Sequence, residues 1–184
     1  MTEVFAPAHL VISLPLLVGA VSSGWAGLGW GALAAGLCGG IPFAVIALGV
    51  KSGRFGNRHI TSRTERPKLV AIIVALVVTA LGLLVVLGAP RVMVACVAIM
   101  LATLAVVGPI TMVWKVSFHT AVAAGAVAML AQVLPAVPVY VVGGLLVALT
   151  GWSRVVIRDH TPAQVLVGAM AGASATWVTL AALG

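Results

Sequence analysis

Seven apolar runs separated by short polar stretches leave this chain few ways to fold. Residues 8–24, 26–50, 69–89, 92–113, 118–134, 136–152 and 162–183 each have the length a helix needs to cross a hydrocarbon core, roughly 17 to 25 residues. In lipid, backbone polar groups must be satisfied within the element, so runs of this kind become helices or the strands of closed barrels. None of them alternates apolar and polar residues as a barrel strand does. The expected fold is an all-α integral membrane protein, a transmembrane helix bundle forming a single membrane domain over residues 1–184. A hydrophobic share of 62%, against about half in soluble domains, agrees.

The first run is the weakest of the seven, because it carries His9, Pro15, Ser22 and Ser23. The residues before it lack the basic region that opens a secretory signal. The fifth and sixth runs are short and are parted by Pro135 and Pro138, which mark a turn. Glycine and alanine crowd residues 26–40 and 121–128, and small residues let helix backbones approach closely in lipid. Cys38 and Cys96 sit inside apolar runs without the short spacings of metal or redox motifs, and are read as packing residues. Trp25, Trp30, Trp114, Trp152 and Trp177 mostly fall near run ends, as an aromatic belt would.

Two runs separate the polar segment 51–68 from Trp114-Lys115, and two more separate that pair from residues 152–159. An even number of crossings returns the chain to the same face, so all three segments share one side. Nine of the ten Lys and Arg residues lie in them, and only Arg91 lies opposite. The net charge of +7 is thus gathered at one membrane surface, without the interleaved aromatics of a nucleic-acid groove. Lys51, Arg54, Lys68 and Arg91 read as snorkelling anchors and His9 as an interfacial or packing residue, while Lys115 and Arg158 fit either an anchor or a phosphate contact. Basic residues favour the cytoplasmic side. Setting aside Arg66, Arg154 and Lys115 still leaves six against one, which predicts a cytoplasmic site, an internal N-terminus and an external C-terminus.

Those segments carry the polar chemistry of the chain. They read His59-Ile-Thr-Ser-Arg-Thr-Glu-Arg66-Pro67, then Lys115-Val-Ser117-Phe118-His119, then Ser153-Arg154 with His160 and Gln164. Two arginines, a hydroxyl and two histidines near one plane suit a tetrahedral oxyanion, with one imidazole to attack and another to move a proton. Glu3, Glu65 and Asp159 are the only carboxylates, too few for a two-metal phosphatase site.

The segments 59–67, 115–119 and 153–164 resemble the three signatures of the type 2 phosphatidic acid phosphatase superfamily: K-x6-R-P, P-S-G-H and S-R-x5-H-x3-D. The third is matched in Ser153, Arg154 and His160 at the family spacing, the second in Ser117 and His119, and the first in Arg66 and Pro67. His59 stands where the family has lysine, with Arg58 beside it as a possible substitute, and Gln164 stands where it has aspartate. The string His160-Thr-Pro-Ala-Gln164-Val resembles the dolichyl diphosphatase branch in particular.

The resemblance implies a six-helix phosphatase core, preceded here by one extra N-terminal helix. It implies hydrolysis of a polyprenyl phosphate or diphosphate, or a related lipid-linked phosphate, through a phosphohistidine, with no metal or other cofactor. His160 would be the nucleophile and His119 the general acid, while Arg66, Arg154, Ser117, His59 or Arg58, and the Phe118 backbone N–H would hold the phosphoryl oxygens. Gln164 would orient His160 through its carbonyl oxygen. It also completes a capping box with Thr161 and Pro162, and the two roles are compatible. The substitutions at His59 and Gln164 leave an alternative, a catalytically weak relative that binds or flips anionic lipids. Oligomeric state stays open, because small-residue faces serve packing within and between chains equally.

Overall fold

The computed structural model describes residues 7–52 and 66–184, apart from the side chains of Val50 and residues 66–69. Among the described residues every regular element is helical: α1 (Pro7–Ala35), α2 (Ile41–Lys51), α3 (Arg66–Val86), α4 (Arg91–Val113), α5 (Phe118–Leu130), α6 (Ala136–Val156) and α7 (Pro162–Leu183). Four helical stretches are long and apolar enough to cross a membrane: Pro7–Gly49, Arg91–Val113, Ala136–Val156 and Pro162–Leu183. Val70–Val86 and Phe118–Leu130 are shorter apolar helices.

The first stretch, at 43 residues, would be about 65 Å long if straight, well beyond a bilayer core. It is not straight. Ser23 (φ −146°) and Gly24 (φ 56°, ψ −135°) leave helical geometry, and the chain doubles back. A side chain at Gly19 would collide with the Gly27 backbone, and one at Gly31 with the Pro15 backbone, so the two limbs run antiparallel in contact. The break falls where the gap between the first two apolar runs predicts it. Residues Leu14, Pro15 and Val18 of the first limb are buried, so the least apolar run is part of the core. Further on, Gly36–Gly40 forms a π-helical turn in which the Ile41 N–H donates to Gly36 O. Pro42 follows, and its ring would clash with the carbonyl four residues back in a regular helix, which a widened turn relieves.

α3 and α4 form a second hairpin. Gly88, at φ 72°, ends α3 in a left-handed cap in which the Gly88 N–H donates to Val85 O and the Ala89 N–H to Leu84 O, before Pro90 opens α4. The main core lies where the hairpins meet α5: Leu14, Val18, Ala34, Cys38, Val77, Leu84, Met93, Cys96, Val97 and Met129. Both cysteines are buried and free.

α5 and α7 also pack backbone against backbone. Gly168 faces the Ser117 carbonyl and Gly172 the Ala121 carbonyl, and a Cβ on either would overlap those oxygens. A second apolar cluster, Val107, Val116 and Ala121 with Ile110, Phe118, Val167 and Ala171, ties the end of α4 to the starts of α5 and α7. On α6 the residues Val137, Val141, Leu145, Leu149, Trp152 and Val156 recur at helical spacing and are all exposed. A continuous apolar stripe left outside the bundle is the face a lipid bilayer would cover.

Candidate active site

The candidate site lies at one end of the bundle, where the α4–α5 link meets the α6–α7 link. Trp114 and Ser117 have extended backbones, and the Ser117 N–H donates to Gln164 O at 3.2 Å, pinning this link to the first turn of α7. Ser117, fully buried, caps α5 by accepting from the Thr120 N–H at 3.5 Å. Thr120 Oγ1 in turn donates to Val165 O at 2.9 Å. Phe118 and His119 are the first two residues of α5 and are both half-buried. A helix start presents backbone N–H groups that lack intrahelical partners, which favours an anion there.

α6 runs to Val156, beyond the apolar run that ends at residue 152, so Ser153 and Arg154 belong to its last turn. That turn buries Arg154 to 6% exposure at the edge of the apolar bundle. The helix then ends in the same left-handed cap as α3, with the Arg158 N–H donating to Val155 O at 2.9 Å and the Asp159 N–H to Arg154 O at 3.0 Å. Here the left-handed residue is Arg158, at φ 57°, where α3 has Gly88. A non-glycine residue in that conformation costs about 1–2 kcal/mol. The cap folds the chain back on itself, so that the His160 N–H also donates to Arg154 O, at 3.2 Å.

Asp159 is the hub of the polar contacts. Its Oδ1 accepts from Lys115 Nζ at 2.8 Å, and its Oδ2 lies 3.6 Å from Arg154 Nη1 and 3.5 Å from His160 Nε2. Lys115 Nζ also donates to the main-chain carbonyl of Asp159 at 2.5 Å. Burial opposes ionisation of Asp159, but the Lys115 hydrogen bond and the charges of His160, Lys115 and Arg154 outweigh it and hold its pKa below the ordinary 3.8.

The His160 side chain is only 7% exposed, and its Nδ1 makes no hydrogen bond of good geometry. Burial lowers its pKa below the ordinary 6.5. The charge of Asp159 opposes that, Lys115 adds to it, and the proximity of Gln164 and the Lys115 backbone opposes it without reversing it. A shift in this direction favours the uncharged imidazole, the form whose ring nitrogen has a lone pair to share.

Gln164 is the third residue of α7. Its Oε1 accepts from the Thr161 N–H at 3.0 Å, while Thr161 Oγ1 accepts from the Gln164 N–H at 3.3 Å, with Pro162 opening the helix. The capping box is therefore formed, and the same side chain lies beside His160. Arg66 is the first residue of α3, whose hairpin with α4 sets its backbone at the Lys115 end of the bundle. His59 and Arg58 lie outside the described residues.

Lys115 and Asp159 make the central ion pair, yet the motif reading gave Asp159 no role and left Lys115 open. The available signal was a lone carboxylate next to a histidine in a chain with three carboxylates. Among the described residues no three His, Cys, Asp or Glu side chains gather as a metal site would require. No family model, curated protein or solved structure matches the chain.

Proposed function

We propose that this protein is a membrane lipid phosphate phosphatase of the type 2 phosphatidic acid phosphatase kind, acting on a polyprenyl phosphate or diphosphate or a related lipid-linked phosphate. The observation that carries the reading is the joining of a buried arginine, Arg154, and a histidine whose side chain is only 7% exposed, His160, at the helix start that bears Ser117 and His119. In this reading the bundle crosses the membrane seven times, six helices form the phosphatase core, and the site faces the cytoplasm.

The reaction runs in two steps. A His160 ring nitrogen attacks phosphorus and the bond to the leaving oxygen breaks, while His119 gives that oxygen a proton. Water, deprotonated by His119, then attacks the phosphohistidine, freeing His160 and inorganic phosphate. Arg154 and the start of α5 hold the equatorial oxygens, whose charge grows in the transition state, and Arg66, with His59 or Arg58, completes the cradle.

A lateral apolar groove supports a lipid substrate. It has a volume of about 430 Å³, lies between α5 and α6, is lined by Val127, Leu130, Pro138, Val142 and Leu146, and reaches Thr150, one turn before Arg154. An isoprenoid or acyl chain held there would bring its phosphate toward the guanidinium.

The test is phosphate release from a polyprenyl diphosphate and a polyprenyl monophosphate by purified protein in detergent, with a chelator present. His160→Ala should lower the rate by on the order of 10³ or more, as loss of a covalent nucleophile does. Undiminished turnover by that variant would remove the proposal. Lipid binding without hydrolysis at any pH would favour the binding-only alternative.

A further inference from the structure

We infer that Asp159 is an internal rival of the phosphoryl group: its carboxylate occupies the anion position shared by Lys115, Arg154 and His160, and phosphate must displace it to bind. The inference rests on the phosphate-site reading above and adds a residue that sets the site's affinity and selectivity for anions. One carboxylate faces three basic groups brought from the α4–α5 link, the end of α6 and the α6–α7 link: Oδ1 accepts from Lys115, and Oδ2 lies near Arg154 Nη1 and His160 Nε2. A phosphoryl group would present its oxygens to Lys115 and Arg154 and turn its phosphorus toward the His160 ring.

Burial differs across the cluster. The Arg154 and His160 side chains are 8% and 7% exposed, whereas that of Asp159 is 37% exposed. The competing anion thus lies on the open side of fixed donors, from which it can swing outward. The two contacts of Oδ2, at 3.6 and 3.5 Å, are longer than a good hydrogen bond and are weak links to break. Lys115 would not be lost with the carboxylate, because it also holds the Asp159 main-chain carbonyl.

Charge completes the argument. Lys115 and Arg154 bring two positive charges and Asp159 one negative, so a phosphate dianion gains more from this cradle than the carboxylate it replaces. A monovalent anion has no such advantage, which makes Asp159 a filter for doubly charged headgroups.

The experiment measures binding rather than turnover. Inorganic phosphate, and separately a short-chain lipid phosphomonoester in mixed micelles, are titrated calorimetrically into the full-length wild type, Asp159→Asn, and Asp159→Asn combined with Arg154→Ala. Asp159→Asn should bind about tenfold or more tightly, and the added Arg154→Ala should abolish the gain. A gain with both ligands identifies phosphate itself as the ligand, and a gain with the micellar lipid alone identifies the membrane-held headgroup. Equal or weaker binding by Asp159→Asn and by Asp159→Ser, each unfolding at the wild-type temperature, overturns the inference. Tighter binding by Asp159→Asn in a protein that hydrolyses no lipid phosphate sinks the phosphatase reading alone. Unchanged binding in a protein that does hydrolyse one sinks only the role of Asp159.

Discussion

His160 couples the chemistry of the site to the stability of the fold. Its pKa in the folded chain lies below the ordinary 6.5, so as pH falls through that value the unfolded chain takes up a proton that the folded chain refuses. Stability is therefore intact above about pH 6.5 and declines below it. Asp159 acts in a lower window: its folded pKa lies below 3.8, so its contribution is present above that value and is lost as pH falls through the folded pKa. Unfolding temperatures in detergent between pH 5 and 8 should fall on the acid side for the wild type and flatten for His160→Ala. A parallel decline in both would show that His160 is not the group responsible. At this scale the sequence displays the spacing of Arg154 and His160, because helical periodicity and a short link preserve it. It does not display the pairing of Lys115 with Asp159, since residues 44 apart meet only after two further helices are placed.

The packing of α5 against α7 brings the two links of the site together. Gly168 is the sensitive point, because a Cβ there would overlap the Ser117 carbonyl and stand 2.6 Å from Thr120 Oγ1. Gly168→Ala should destabilise the protein by about 1–3 kcal/mol, as overpacking does, and on the proposed phosphatase reading should also lower phosphate release by parting Ser117 from His160. Gly144→Ala is the control, since nothing lies within 4 Å of its Cβ position, and it should change neither property. Denaturant unfolding in detergent with activity on the same samples tests both, and equal effects of the two substitutions would remove the argument. The density of small residues is visible in the sequence, but which glycine meets which carbonyl is not, because helix register and crossing are set by the partner helix. The end of α6 was likewise hidden, since apolar character stops near residue 152 while the hydrogen-bonded helix continues to Val156.

Over the whole molecule, helical hairpins collect the candidate site at one end. Arg91, after the α3–α4 turn, is exposed at the other end, and Ser52, after α2, is also exposed. The two native cysteines are buried, so a cysteine introduced at either position reports cleanly. With the site on the cytoplasmic face, Arg91→Cys should react with a membrane-impermeant maleimide on intact cells and Ser52→Cys only after permeabilisation. The reverse pattern would move the site to the outer face and suit recycling of a spent carrier lipid rather than a biosynthetic step.

The sequence by itself determined the helical class, the places where the chain turns, and the spacing of Ser153, Arg154 and His160. Those properties follow from local length, hydrophobicity and turn chemistry, which act within a few residues. Only the tertiary structure decided that Asp159 would stand among Lys115, Arg154 and His160, that Gly168 and Gly172 would meet the Ser117 and Ala121 carbonyls, and that Ser117 would be pinned to α7. Each of these depends on how closely two backbones approach. That distance is fixed jointly by small residues on separate helices and by the left-handed turn at Arg158, so no single stretch of sequence contains it.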